Sequence, residues 1–234
     1  MGEWDKHLVT SHTKAVLQAL FVVFLWATSW VFIKIGIEDI PPIMFAGLRY
    51  FVAFLCLLTV VLINGSKREF RKIPKNIWGQ LLILGILFYA GTQGAIFIAL
   101  AYLPAVTVNL LWSFSSVAVA TLGIFWLSEN PTLIQWGGIL LAMIGAFVYF
   151  IPVSVPEQQL FGVIVAVIGV LANAVSSIMG RGINRSEKYP PLVVTVITMG
   201  TGATILLLAG FLIEEIPSIN LQSWGIILWL ALVN

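Results

Sequence analysis

The chain has 234 residues, 60% of them hydrophobic and only 9% charged, with a mean hydropathy of +1.03. Soluble domains carry about 25% charged residues, so water is excluded as the main solvent and hardly any length remains for a soluble domain. The net charge of +2 follows from where the bases fall and does not indicate nucleic acid as a partner, while the single cysteine, Cys56, offers neither a disulfide pair nor a metal cluster.

A membrane span needs about 20 mostly apolar residues to cross roughly 30 Å of hydrocarbon. Residues 1–14 read as a tail that holds both histidines, His7 and His12. The block at 15–35 lacks a small-residue cleavage site and is long enough to span, so it reads as an uncleaved first helix in which Trp26, Trp30 and Lys34 follow one another at four-residue spacing. The second span, 42–63, contains Arg49; the third, 77–98, has Tyr89 and Gln93 one turn apart. In the fourth, 104–127, Asn109, Trp112, Ser113 and Ser116 fall at i, i+3, i+4 and i+7, on one helix face. Spans at 132–151, 159–180 (with Asn173 and Ser176) and 191–213 follow. An eighth begins near 222 and is still apolar at Asn234, which predicts a second half cut inside a helix.

Cytoplasmic loops retain Lys and Arg. Lys6 and Lys14 precede the first span, Lys67, Arg68, Arg71, Lys72 and Lys75 fill the second loop, and Arg181, Arg185 and Lys188 follow the sixth span. With alternating loops all of these fall on one side, which predicts a cytoplasmic amino terminus in a multi-pass protein of the cell membrane. Glu38, Asp39, Glu157, Glu214 and Glu215 fall on the other side, and only Lys34 and Arg49 are left to the spans.

Two sequence pairs recur at nearly one offset. Pro41-Pro42 and Pro190-Pro191 open the second and seventh spans, and Trp78-Gly79 and Trp224-Gly225 open the third and eighth, about 149 and 146 residues apart. A five-span unit crosses the membrane an odd number of times, so its copy enters from the other side. The expected fold is therefore an all-α polytopic membrane protein of inverted five-helix repeats: repeat one at 15–151, and repeat two at 159–234 lacking roughly 60 to 65 residues of its ten-helix complement.

The segment SENPTLIQWGGILLAMIGA (128–146), preceded by IALAYLPAVTVNLLWSF (98–114), resembles the first-repeat signature of EamA-type transporters of the drug/metabolite transporter superfamily. The resemblance lies in an Ala-x-x-Tyr-like turn, Glu129, Gln135-Trp136-x-Gly138 and Gly145; LWATSWVFIKIG (25–36) and PPIMFAGLRY (41–50) are similar to that family's first two spans. It implies ten helices and carriage of a small metabolite. Many relatives have a proline in mid span four, where this chain reads Phe114-Ser115-Ser116-Val117, so no proline kink is expected there.

The polar residues inside the spans admit two readings. Trp26, Trp30, Tyr89, Gln93, Asn109, Trp112, Ser113, Ser116 and Asn173 are candidates to line a substrate cavity; interhelical packing and hydrogen bonding, or interfacial anchoring for the tryptophans, is the alternative. Lys34 and Arg49 are candidates to contact an anionic substrate group, or else snorkel or pair with Glu38 or Asp39. Glu129-Asn130-Pro131 reads as a cytoplasmic turn, with Asn130 capping span five and Pro131 at its first position, or as a gate. Small residues at Gly138/Ala142/Ala146 and Ala172/Ser176/Gly180 permit close helix contact, within the protomer or in a homodimer.

No Asp, Glu or His lies well inside the seven complete spans. That argues against an intramembrane hydrolase and against a proton relay in these helices, so coupling uses the missing helices or the protein is a facilitator or exchanger; no cofactor or metal is expected. The expected function is secondary transport of a small organic metabolite between lipid-embedded repeats. The alternatives are a multidrug exporter with an aromatic cavity and a non-transporting scaffold or sensor.

Overall fold

The computed structural model describes residues 3–128, 131–150, 156–185 and 189–233, and side-chain surroundings from residue 16 onward except at 67, 149 and 150. Glu129 and Asn130 lie outside the described residues. The helices are α1 (Glu3–Gly36), α2 (Pro42–Ile63), α3 (Lys67–Lys72), α4 (Lys75–Gly85), a π-helical segment (Ile86–Gln93), α5 (Gly94–Tyr102), α6 (Ala105–Ser113), α7 (Ser115–Leu127), α8 (Leu133–Phe150), α9 (Glu157–Asn184), α10 (Pro191–Ile213) and α11 (Leu221–Leu232). Among the described residues, six stretches are long and apolar enough to cross a membrane, and two shorter apolar helices fall at Leu133–Val148 and Leu221–Leu232. The chain is a polytopic membrane protein. One end of the bundle carries Lys75 and Arg181 and is called the basic end; the other carries Asp39 and Glu214 and is called the acidic end.

At the centre, α2 and α10 run antiparallel against each other with glycines at the contacts. A Cβ on Gly47 would lie 2.7 Å from the Leu207 Cα, and one on Gly210 would lie 2.8 Å from the Met44 Cα. In lipid, apolar side chains gain nothing by leaving the solvent, so helices associate through close van der Waals packing, which small residues permit. Phe45 and Phe97 meet edge to face beside this contact with ring centroids 5.2 Å apart, and Phe45, Phe97, Met44 and Leu100 are fully buried.

The neighbours of this pair differ. On α10, Gly85 lets α4 approach the Thr198 backbone directly. On α2, the contact with α11 is made by Arg49, whose Nε donates to the Leu230 carbonyl at 3.3 Å. A small contact on one side thus stands opposite a long guanidinium contact on the other. α9 packs against α5 and α6, with Gly169 against Ala95 and Trp112. α8 lies at the periphery, with Leu133, Ile134, Leu141 and Phe147 exposed, as a lipid-facing helix requires.

Several local features depart from the expected elements. α1 begins at Glu3, so helix runs through the stretch expected as a tail. α8 begins at Leu133 rather than at Pro131, because Thr132 and Gln135 form a reciprocal cap: Thr132 N–H donates to Gln135 Oε1 at 2.8 Å and Gln135 N–H to Thr132 Oγ1 at 3.3 Å. Spans three and four are both interrupted near mid-length. The π segment Ile86–Gln93 divides span three, and Thr92 Oγ1 donates to the Leu87 carbonyl five residues back at 2.9 Å. Span four breaks at Phe114 without a proline. There Phe114 N–H bonds three residues back to Leu111 at 3.2 Å, and Ser113 Oγ donates to the Leu110 carbonyl at 2.6 Å. Serine hydroxyls that bond back to their own helix bend it.

Two carboxylates tie the acidic end together. The Pro41-Pro42 start of α2 has no side-chain cap of its own, and Glu214 supplies one from the end of α10 by accepting the N–H of Ile43 at 3.0 Å and of Met44 at 2.7 Å. Asp39 accepts from Asn220 Nδ2 at 3.0 Å and Ser223 Oγ at 2.8 Å, while Asn220 Oδ1 caps α11 through the Ser223 N–H.

Candidate functional site

α9 sets the site. Four-residue spacing places Asn173, Ser177 and Arg181 on one face, and this face lines a cavity of about 970 Å³ toward the basic end. Ser115 and Ser116 reach it from the first turn of α7, just past the break at Phe114, and Gln135, Gly138 and Ala142 from α8. The reciprocal cap occupies Gln135 Oε1, leaving its amide nitrogen as a donor. On the neighbouring face of α9 a second cavity of about 490 Å³ is lined by Phe88, Tyr89, Ser176, Asn184, Thr195 and Thr198, and it shares Ser177 and Arg181 with the first.

Among the described residues, the side chains of Asn173, Ser177, Ser115 and Ser116 find no hydrogen-bond partner within the protein. Inside a membrane protein an unmet amide or hydroxyl costs roughly 1–3 kcal/mol. Groups of this kind in a cavity of this size are suited to water and to a polar solute.

The residues singled out from the sequence are distributed as follows. Ser116 and Asn173 line the first cavity, and Tyr89 lines the second, where it packs edge to face on Phe88 and Tyr50 at centroid distances of 5.0 and 5.4 Å. Trp112 lies against Gly169 and the buried core, and Trp30 packs on the same core. Ser113 is engaged with its own helix, and Asn109 is exposed. Gln93 closes the π segment and is partly buried. Trp26 is 61% exposed on the outer surface of α1. Lys34 donates to the carbonyls of Leu100 at 2.5 Å and Leu103 at 3.2 Å, so it caps the carboxyl end of α5, where a cation also meets the helix dipole. Arg49 is 6% exposed, with its guanidinium 4.8 Å from the Tyr50 ring centroid and 5.9 Å from that of Phe97. Among the described residues neither base forms an ion pair with Glu38 or Asp39, and no group of three or more His, Cys, Asp or Glu could hold a metal ion. The Glu129 turn or gate falls outside the described residues.

Ser115, Ser177, Gln135 and Arg181 are lining residues that the sequence reading did not select as such. For Ser177 and Arg181 the signal was available as the continuation of the four-residue spacing from Asn173. Arg181 was accounted for by the charge bias of the loops alone.

Residues 13–151 match the sequence profile of the EamA-like transporter family. The chain belongs to this family. As an EamA-like protein it is similar to the uncharacterized transporter YoaV of Bacillus subtilis (strain 168), with 23% identity over 208 residues covering 88% of this chain and 69% of that protein. It is 24% identical over 210 residues to the uncharacterized inner membrane transporter YedA of Escherichia coli (strain K12), covering 86% of this chain and 65% of that protein. It is also 33% identical over 132 residues to a "Probable amino-acid metabolite efflux pump" of Salmonella typhimurium, covering 56% of this chain and 40% of that protein. The chain thus spans about two thirds of the length of YoaV and YedA. A protein of known crystal structure shares the fold, with a TM-score of 0.70 and 19% identity over 94% of this chain and 74% of that one. Family membership and the apolar spans together make this EamA-like chain a membrane transporter.

Proposed function

We propose that the protein is a secondary transporter of a small organic metabolite, built as two inverted repeats (15–151 and 159 onward) that alternate access to a site between them, with its amino terminus in the cytoplasm. The observation that carries this reading is the cavity beside α9, whose unpartnered amide and hydroxyl groups lie between helices of both halves. Asn173 lies 11 residues from the end of α9, or about 16 Å at 1.5 Å per residue, so the lining reaches from mid-membrane to the basic end. With that end cytoplasmic, the cavity opens inward, and the carboxylate ties of Glu214 and Asp39 hold the two halves together on the outer side.

The interruptions at Ile86–Gln93 and Phe114 support alternating access, because each gives a half-helix beside a cavity a place to bend. The fusion of two halves of opposite orientation is a recurrent transporter plan with the solute site near the bilayer midplane. Flux of labelled metabolites into vesicles that contain the full-length protein tests the reading. Saturable transport that Asn173→Ala and Ser116→Ala both slow is the expected result; absence of flux across a broad metabolite panel sinks it.

A further inference from the structure

We infer that the solute carried through the cavity is an organic anion, recognised by the Asn173–Ser177–Arg181 face of α9; this rests on the transport reading above. Among the described residues that line the two cavities, the one charged side chain is Arg181, and every other polar side chain is an amide, a hydroxyl or the phenol of Tyr89. An organic cation entering from the basic end would meet the Arg181 guanidinium and, among the described lining residues, no carboxylate further in. Leaving a cation unmatched away from water is expensive, so the lining discriminates against that class.

The alternative way to hold a cation is an aromatic box. Among the described residues, the first cavity has no aromatic lining; Phe88 and Tyr89 in the second already stack on each other edge to face. For an anion the inventory is favourable. Guanidinium offers five N–H donors in a planar fork, so it can keep a partner within the protein and still present a bidentate pair to carboxylate or phosphate oxygens. Eight residues further into the membrane, about 12 Å along α9, Asn173 offers two amide donors, with the Ser177 hydroxyl midway. The face is a descending series of donors that an anion can follow.

The test uses full-length purified protein and three probes: succinate, inorganic phosphate and choline. Thermal stabilisation in detergent reads binding, and flux into proteoliposomes reads transport. Succinate or phosphate is expected to raise the midpoint while choline does not, and the two anions compared separate a carboxylate from a phosphate preference. Arg181→Gln is expected to raise the half-saturating anion concentration about tenfold or more, Arg181→Lys less, and Ser177→Ala and Asn173→Ala severalfold. The midpoints without probe show that each variant is folded. Stabilisation by choline, no stabilisation by either anion, or an unchanged half-saturation in Arg181→Gln overturns the inference. Choline flux without anion flux leaves the transport reading intact and removes the anion; anion binding without flux does the reverse.

Discussion

The carboxylate of Glu214 accepts the backbone N–H of Met44 at 2.7 Å, so the first turn of a helix in one half of the chain is capped by a residue from the other half. A proline start leaves that turn with no acceptor of its own, and an anion at a helix amino terminus is also favoured by the dipole. Loss of a cap costs about 0.5–2 kcal/mol. Glu214→Ala is expected to lower the thermal midpoint in detergent, and Glu214→Gln, which keeps acceptor oxygen but not charge, to lower it less. Equal midpoints for wild type and Glu214→Ala would show that the α2 start does not depend on this contact.

The α2–α10 contact should be intolerant of any side chain. Gly47→Leu or Gly210→Leu would drive carbon atoms into backbone that has no rotamer with which to yield, and overpacking costs about 1–3 kcal/mol even where side chains can give. Size-exclusion chromatography should find these variants aggregated or absent. Gly137→Ala, at a site with no atom within 4 Å, is the matched control and should behave as wild type or gain slightly.

Arg49 separates packing from charge. Its guanidinium is buried against Tyr50 and Phe97 and reaches the Leu230 carbonyl. Arg49→Met keeps most of the volume and removes a desolvated cation, so the thermal midpoint should be close to wild type. Arg49→Ala leaves a cavity and should cost about 2–5 kcal/mol, as for other large-to-small buried changes. A midpoint for Arg49→Met as low as that of Arg49→Ala would assign the stabilisation to the charge.

Access to the cavity can be read with thiols. In a Cys56→Ser background, Ser116→Cys and Ser177→Cys should react with a membrane-impermeant maleimide applied from the cytoplasmic side, whereas Ala166→Cys, at a fully buried position of α9, should not. Labelling of Ser116→Cys only from the outside would invert the proposed orientation.

Most of the fold was legible because membrane spans are written in composition. The 42–63 and 191–213 spans coincide with α2 and α10, since double prolines mark helix starts and the apolar runs have charged or extended ends. The interruptions in spans three and four were not legible. The π segment depends on Gly85 meeting α10 and on the Thr92 hydroxyl donating to the carbonyl five residues back, and the break at Phe114 on a hydroxyl that bonds back. Each is a tertiary or rotamer choice with no breaker residue to announce it. The same holds for Lys34, Arg49, Asp39 and Glu214. Their types and approximate depths were readable, but their partners are backbone or polar groups more than 60 residues away. At the cavity, Ser116 followed from helical spacing and Asn173 from its correspondence with the first span in the repeat, while the surface position of Trp26 depended on which face of α1 meets its neighbours.

A helix that crosses a bilayer unbroken exchanges its amide protons only at the two frayed ends, because every interior carbonyl is held one turn away. Spans three and four depart from that regular pattern, with wider π bonding at Ile86–Gln93 and a three-residue bond at Phe114. Isotope exchange should therefore enter these two helices from the middle, with the amides near Phe88 and Phe114 protected less than those of α10 at the same depth. On this expectation the bilayer midplane, normally the most protected layer of such a protein, is the layer where exchange starts in these two helices.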